Sequence, residues 1–254
     1  MTTIRGSVLL GAAIILGSIS SVQAADLYDG GYRGSLKDAP VLEGPASWYI
    51  RGDAAYATHD DPTMVEEGRF DLTNTSIDDT WSLGAGIGYY FSPTLRGDLT
   101  YDYRFETDVS GTQNDGTASF PGKHKFGLQS HVFLANLYYD FNRQGRFSPY
   151  VGVGLGFAIN DTQSAKLGSD CGCTAVIHGA SNTDVAAAFM AGFSLKLRSR
   201  LYLDAGYRFL YLNEAHTGSI TGTGAGGAGA TVGDPSVQGI HAHEVRVGFR
   251  YDIR

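Results

Sequence analysis

The segment 95–106 contains the chain's most distinctive set of chemically active side chains. Arg96, Asp98, Asp102, Arg104 and Glu106 stand two or four positions apart, and the residues that alternate with this row are leucine, glycine, tyrosine and phenylalanine. Successive residues of a β-strand point to opposite faces, so a strand here has one apolar face and one charged face. Charged side chains that are shut away from water need partners of opposite sign. The segment therefore predicts a strand that contributes ion pairs to an enclosed interior.

Seven further segments show the same alternation, and long polar stretches and short turns connect the strands in turn. Strands of about ten residues suit a tilted passage through a bilayer, and long outer loops with short periplasmic turns are typical of outer-membrane barrels. A sheet in hydrocarbon must also close, because an open edge leaves backbone groups unpaired. We predict an all-β fold, an eight-stranded antiparallel up-and-down transmembrane β-barrel over 48–254 with four long outer loops. A soluble β-sandwich is the alternative.

The inward faces of these strands carry equal numbers of basic and acidic side chains. An eight-stranded barrel is just wide enough for side chains to fill its interior, and the glycine-rich inward faces of 84–88 and 152–156 leave room for long arginines. We predict a lumen plugged by an ion-pair network, and the alternative is a narrow water-filled conduit. The predicted network consists of Arg51, Asp53, Arg96, Asp98, Asp102, Arg104, Glu106, Asp140, Lys196, Asp204, Arg208, Glu244, Arg246 and Arg250.

The N-terminal segment predicts export. Arg5 precedes an apolar run over 8–19, and Val22-Gln23-Ala24 forms a small-x-small cleavage site, so 1–24 reads as a signal peptide. The Gly- and Pro-containing stretch 25–47 lacks periodicity and is predicted to be a periplasmic N-terminal arm. Removal of Arg5 takes the formal net charge from -7 to -8. This acidic balance argues against nucleic acid as a partner.

The two cysteines, Cys171 and Cys173, lie in a predicted outer loop. In an exported protein they are expected to be oxidised, either to each other as a possible disulfide in a small strained loop or to another molecule. Their spacing does not fit a zinc site. The sequence predicts no metal and no cofactor.

Other polar residues near the predicted outer rim have several possible roles. Ser130 with His131, and His243 with Glu244, are residue types that hydrolases use, but no catalytic motif surrounds them, so we expect polar rim residues and no enzyme. The first outer loop is acidic and could hold Ca²⁺ or Mg²⁺, although its spacing is not that of a calcium loop. Histidines in separate loops could meet on haem iron or a metal, although scattered loop histidines are usually solvated. The acidic residues are Asp60, Asp61, Glu66, Glu67, Asp71, Asp78 and Asp79, and the loop histidines are His59, His178, His216 and His241.

Motifs in seven of the eight predicted strands resemble the eight-stranded outer-membrane proteins with an OmpA-like transmembrane barrel. Within that porin-like superfamily they are most similar to the alphaproteobacterial surface-antigen barrels, although the chain ends on Ile253-Arg254 where such barrels commonly end on an aromatic residue. The matching segments are WYIRGDAAYA (48–57), GAGIGYYF (84–91), RGDLTYDYRF (96–105), NLYYDF (136–141), PYVGVGLG (149–156), LDAGYRFLYL (203–212) and HEVRVGFRYDI (243–253).

The resemblance implies an integral protein of the bacterial outer membrane that supports envelope integrity. It implies contact with outer-membrane lipids and lipopolysaccharide, insertion by the barrel assembly machinery, and loops that meet host surface molecules. Two alternatives accompany this expectation. One is a low-conductance porin-like channel for small solutes, and the other is a loop-borne binder of haem or of a host protein.

Overall fold

The computed structural model describes residues 48–66, 72–113, 123–143, 145–168, 174–223, 231–232 and 235–253. The predicted signal peptide, the predicted arm over 25–47 and the cysteine pair Cys171 and Cys173 lie outside these ranges. Among the described residues there is no helix long and apolar enough to span a membrane.

Fourteen strands, numbered here in chain order, make up the described fold. Eight of them are long, and these pair antiparallel in the order β1–β4–β5–β6–β7–β10–β11–β14, with β14 pairing back onto β1. The predicted eight-stranded barrel is therefore confirmed. The strands are β1 (Trp48–His59), β2 (Thr63–Glu66), β3 (Leu72–Ile77), β4 (Thr80–Tyr90), β5 (Leu95–Gln113), β6 (Lys123–Asp140), β7 (Phe147–Thr162), β8 (Ala165–Gly168), β9 (Thr174–Ile177), β10 (Ser181–Lys196), β11 (Leu201–His216), β12 (Ile220–Thr223), β13 (Thr231–Val232) and β14 (Pro235–Ile253).

The pairing register fixes the width of the barrel. A path that starts at Trp48 and steps from each residue to its partner on the next strand returns to β1 at Thr58, ten residues farther along. In an eight-stranded barrel this stagger goes with a strand tilt of about 40° and an interior that side chains can fill. The lumen is therefore narrow enough to be blocked by its own residues.

The outward face is apolar along the membrane-spanning part of every long strand. Large side chains such as Leu99, Leu155 and Phe189 are more than half exposed in the isolated chain, which is stable only where lipid replaces water. Aromatic side chains pair across neighbouring strands at both ends of this band, with ring centroids 5.1 Å apart in Trp48–Tyr89 and in Tyr56–Trp81. Such pairs form the aromatic girdles that lie at membrane interfaces.

The interior is charged towards the short turns and apolar towards the long loops. On β11, Leu210 and Leu212 follow Arg208, and on β14, Ile240 precedes Glu244. The apolar layer joins inward residues of the barrel to residues of the outer segments, including Met64, Val109, Phe126, Ile177 and Val237. The predicted ion-pair network therefore occupies only the part of the lumen nearer the short turns, and the sequence analysis did not include the apolar layer.

The outer segments are more ordered than the predicted polar loops. β5 continues to Gln113 and β6 begins at Lys123, so both strands extend into the polar stretch 107–126, whose composition is that of an outer loop. β2 pairs with β14 and β3 with β5, and β8, β9, β12 and β13 form a separate four-stranded sheet. The β9–β12 pairing joins the third outer segment to the fourth. The strands thus project beyond the lipid-facing band and carry a folded outer surface.

The hydrogen-bonded pairing of β10 with β11 ends before the two strands do. Pairing between β10 and β11 stops at Ala186 and Leu212, although both strands continue outward. Beyond this point, hydrogen bonds from side chains take the place of backbone pairing. Asn160 Nδ2 and Asn182 Nδ2 both donate to the carbonyl oxygen of Glu214, at 3.1 and 3.0 Å.

Candidate functional site: the ion-paired lumen

The middle of the lumen holds a cluster in which each carboxylate has more than one arginine. Asp102 accepts from Arg208 Nη1 at 2.7 Å and from Arg246 Nη2 at 2.8 Å. Glu244 accepts from Arg208 Nε at 2.6 Å, and Asp53 is bonded to Arg246. These residues come from β1, β5, β11 and β14, and all are largely buried. The barrel stagger brings them to one level, and their opposite charges compensate one another.

Towards the short turns the pairs become separate. Arg51 Nη1 lies 3.1 Å from Asp98, and its Nε lies 3.2 Å from Asp53, so Arg51 joins this end to the middle cluster. Arg96 Nε lies 3.1 Å from Asp140. Arg250 Nε and Asp204 Oδ2 are likewise 3.1 Å apart.

Five inward tyrosines fill the space between these pairs, and the sequence interpretation did not include them. The Arg96 guanidinium lies 4.2 Å from the ring centroid of Tyr138 and 5.0 Å from that of Tyr150, distances at which cation–π attraction operates. Tyr90 Oη accepts from Arg250 Nη1 at 2.7 Å and donates to an aspartate at 2.8 Å. The signal was present in the sequence, because these tyrosines occupy inward positions of the same alternation. The tyrosines are Tyr49, Tyr90, Tyr138, Tyr150 and Tyr202, and the aspartate is Asp252.

Inward glycines provide the room that these large side chains occupy. A Cβ at Gly88 would lie 2.2 Å from Cζ of Tyr49, and a Cβ at Gly152 would lie 2.5 Å from Cδ1 of Tyr138. A Cβ at Gly84 would lie 2.3 Å from a carboxylate oxygen of the middle cluster. The expectation that inward glycines make space for lumen side chains agrees with these contacts.

Two predicted members lie outside the network. A β-bulge between Arg104 and Thr107 breaks the alternation of β5, so that Glu106 is exposed instead of pointing inward. Lys196 lies at the turn end of β10, where its ammonium is 6.0 Å from the Tyr202 ring centroid and forms no ion pair within the described part of the chain. Assigning Glu106 to the lumen was wrong because a strict period of two does not reveal a bulge. All other predicted members form ion pairs in the lumen.

The plug encloses a small cavity of about 20 Å³ between Arg51, Asn136, Arg208 and Arg246. Space of this size holds one or two water molecules. Within the described ranges, three polar atoms of residues that line it have no protein hydrogen-bond partner, namely Arg208 Nη2, Arg246 Nε and Asn136 Oδ1. Two donors and one acceptor match the hydrogen-bonding capacity of water.

At the outer rim, the residues that could have formed catalytic pairs point to opposite faces. Ser130 is buried and donates to Asn160 at 2.7 Å, whereas His131 is on the outward face beside Tyr101. Glu244 is in the lumen, and His243 is outside. Neighbours on a strand cannot share a face, so neither pair forms a Ser–His or His–Glu site.

The loop histidines and the acidic first segment have dispersed contacts. His178 bonds Thr221 at 3.1 Å, and His216 lies 3.6 Å from Glu214. His59 Nε2 is 2.8 Å from Arg104 Nη2, where it closes the outer end of the charged network. These contacts differ from one histidine to the next, and they do not bring the four loop histidines together on one haem. In the acidic segment Asp60, Asp61, Asp78 and Asp79 are exposed, and the side chains of Glu66, Glu67 and Asp71 lie outside the described set.

A sequence profile of the outer membrane protein beta-barrel domain matches residues 12–252. The chain belongs to this family. With the closed barrel and its lipid-facing band, this makes the protein an integral component of the bacterial outer membrane.

The chain is also similar to individual proteins of known sequence or structure. Uncharacterized proteins of Brucella abortus and Brucella melitensis are 30% identical to the chain, covering 96% of this chain and 98% of theirs. The outer membrane protein OprG of Pseudomonas aeruginosa superposes with a TM-score of 0.53 at 14% identity, over 82% of this chain and 98% of OprG. The neisserial surface protein NspA gives 0.43 at 20% identity, over 83% of this chain and 100% of NspA. The likeness to OprG shows the fold alone.

Proposed function

We propose that the protein is a structural outer-membrane barrel of the surface-antigen type, with a plugged lumen and no enzymatic activity. The observation that carries the proposal is the filled cross-section of the lumen. Arg96, Arg208 and Arg250 are almost completely buried, and each is bonded to a carboxylate. A water-filled pore would leave such side chains exposed.

The outer surface supports a role in contact with molecules outside the cell. The four-stranded sheet of β8, β9, β12 and β13 gives the third and fourth outer segments a defined shape. The upper aromatic girdle, which includes Tyr56 and Trp81, lies at the height where lipid headgroups meet the barrel wall. We propose that lipopolysaccharide contacts the girdle and that host surface molecules contact the outer sheet. We also expect insertion into the membrane to depend on the barrel assembly machinery.

Conductance of the refolded protein in planar lipid bilayers tests the plug. The wild-type barrel should be silent, and Arg246→Ala should leak, because its side chain lines the central cavity and holds Asp53 and Asp102. Two matched controls remove a charge without touching the network, namely Lys196→Ala and Glu106→Gln. Both should be as silent as the wild type.

A low-conductance channel is the second candidate, and the central cavity favours it. The unpaired Arg208 Nη2 and Arg246 Nε are donors that a passing anion or water could use. Steady, salt-dependent current steps from the wild-type protein would establish the channel and refute the plug. Silence of both the wild type and Arg246→Ala would exclude a channel through this cavity.

A further inference from the structure

Two similar side-chain clusters lie on the outward face of the barrel, at its outer rim. In one, Tyr101 Oη and His131 Nδ1 are 2.8 Å apart, and His131 Nε2 is 3.8 Å from Asp161. In the other, Tyr207 Oη and His243 Nδ1 are 2.5 Å apart, and His243 Nε2 is 3.2 Å from Asp60. The first uses β5, β6 and β7, and the second uses β11, β14 and the residue that follows β1, so they occupy opposite sides of the barrel.

One position distinguishes the two clusters. Two residues before the central histidine, the first has Gln129 and the second has His241. Residues two apart on a strand share a face, so His241 and His243 point the same way. His241 Nδ1 lies 4.0 Å from Asp60 Oδ2, the oxygen that faces His243. The second cluster therefore combines two imidazoles and one carboxylate.

This combination has the chemistry of a transition-metal site. Imidazole and carboxylate together suit Zn²⁺ and related ions, whereas Ca²⁺ and Mg²⁺ prefer oxygen ligands alone. Two donors of one tetrahedral zinc lie about 3.3 Å apart for bonds of about 2.0 Å. The His243–Asp60 separation of 3.2 Å meets that requirement, and the His241–Asp60 separation of 4.0 Å exceeds it by less than 1 Å.

The surroundings favour binding through His243 Nε2. In the tautomer whose Nδ1–H donates to Tyr207 Oη, the Nε2 lone pair is directed at Asp60, and an outer partner of this kind orients metal-ligating histidines. As the side chains stand, no three histidine, cysteine or acidic groups in the described ranges already enclose an ion position. The side chain of Asp60 is 56% exposed, and the imidazoles of His241 and His243 are 37% and 38% exposed. Small side-chain rotations can therefore bring the three groups to one ion, and water can supply the remaining ligand.

We propose that Asp60, His241 and His243 form a surface site for a divalent first-row transition ion such as Zn²⁺. The site spans the seam between β1 and β14, where the first strand meets the last. The bound ion ties the start of the first outer segment to the last strand. The proposal is independent of whether the lumen is plugged.

Titration calorimetry of untagged, chelator-treated protein in detergent micelles with Zn²⁺ tests the site. The wild type should bind one ion at this site, and His241→Gln, which copies the composition of the other cluster, should weaken binding by about tenfold or more. Asp60→Asn should act in the same direction. The matched control His131→Ala removes a histidine with a tyrosine and an acid beside it, and it should bind zinc like the wild type.

Two further measurements identify the ligands. Electron paramagnetic resonance of the Cu²⁺ form should show coupling to two imidazole nitrogens in the wild type and to one in His241→Gln. Gln129→His should create a second site on the opposite side of the barrel. Unchanged zinc affinity in His241→Gln, or no zinc binding by the wild type at millimolar concentration, would overturn the proposal. The mobility shift of unheated samples in gels verifies that each variant is folded.

Discussion

Replacing Arg96 by methionine should destabilise the barrel more than replacing any single arginine of the middle cluster. Arg96 is 0% exposed and Asp140 is 1% exposed. Arg96 is the only basic side chain that forms an ion pair with Asp140 in the described part of the chain. Breaking a buried pair from one side costs about 3–5 kcal/mol, because the other charge stays buried without compensation. By contrast, Arg208→Met leaves Asp102 and Glu244 with other arginines, so we expect about 1–2 kcal/mol.

Urea unfolding in phospholipid vesicles, followed by the fluorescence of the two tryptophans, measures these costs. The double variant Arg96→Met/Asp140→Asn should recover about 2 kcal/mol or more relative to Arg96→Met, because the orphaned charge is removed as well. Lys196→Met is the control and should change the free energy of unfolding by about 0.5 kcal/mol or less. Equal destabilisation by Arg96→Met and Arg208→Met, or no recovery in the double variant, would refute the reasoning.

Three further outcomes are expected from the same contacts. Arg208→Met combined with Arg246→Met should cost about 1–3 kcal/mol more in urea unfolding than the two single variants added together, because only the double variant leaves their shared carboxylate without a cation. Gly156→Ala should cost about 3 kcal/mol in the same assay, since its Cβ would lie 1.8 Å from a backbone oxygen, whereas Gly52→Ala, whose nearest contact is 3.8 Å, should cost about 0.5 kcal/mol or less. Asn182→Ala should speed proteolysis at the outer end of β10 without changing the unfolding midpoint, because it removes two hydrogen bonds across the interrupted ladder.

Alternation alone was enough to predict the fold, and the reason is physical. Lipid outside and packed side chains inside impose a period of two on every membrane-spanning strand, so the positions of Leu99, Leu155 and Phe189 identify the outward face without knowledge of the register. The same argument fails outside the bilayer, where β5 and β6 continue as paired strands although their composition is that of a polar loop. It also fails at the bulge that turns Glu106 outward.

The lumen site was predicted as a set of residues but not as a set of pairs. Alternation places Arg104 and Glu244 on the inward face, but their contact joins positions that are 140 residues apart. Which arginine meets which carboxylate depends on the stagger of the barrel, and strand-by-strand inspection does not supply it. The buried tyrosines were missed because an aromatic residue on a barrel strand fits either face equally well, as girdle or as filling.

The distribution of partners explains how a charged plug can be kept inside an apolar wall. Burying a charge is costly unless a partner compensates it, and in the middle cluster each carboxylate is bonded to two arginines or more. Towards the short turns, where Arg96 and Arg250 each have one carboxylate, tyrosine rings surround the guanidinium groups. Redundant charge therefore protects the centre of the lumen, and aromatic packing protects its periplasmic end. We therefore expect the loss of one arginine to lower the free energy of unfolding less in the middle cluster than at the periplasmic end, where the remaining carboxylate has no second arginine.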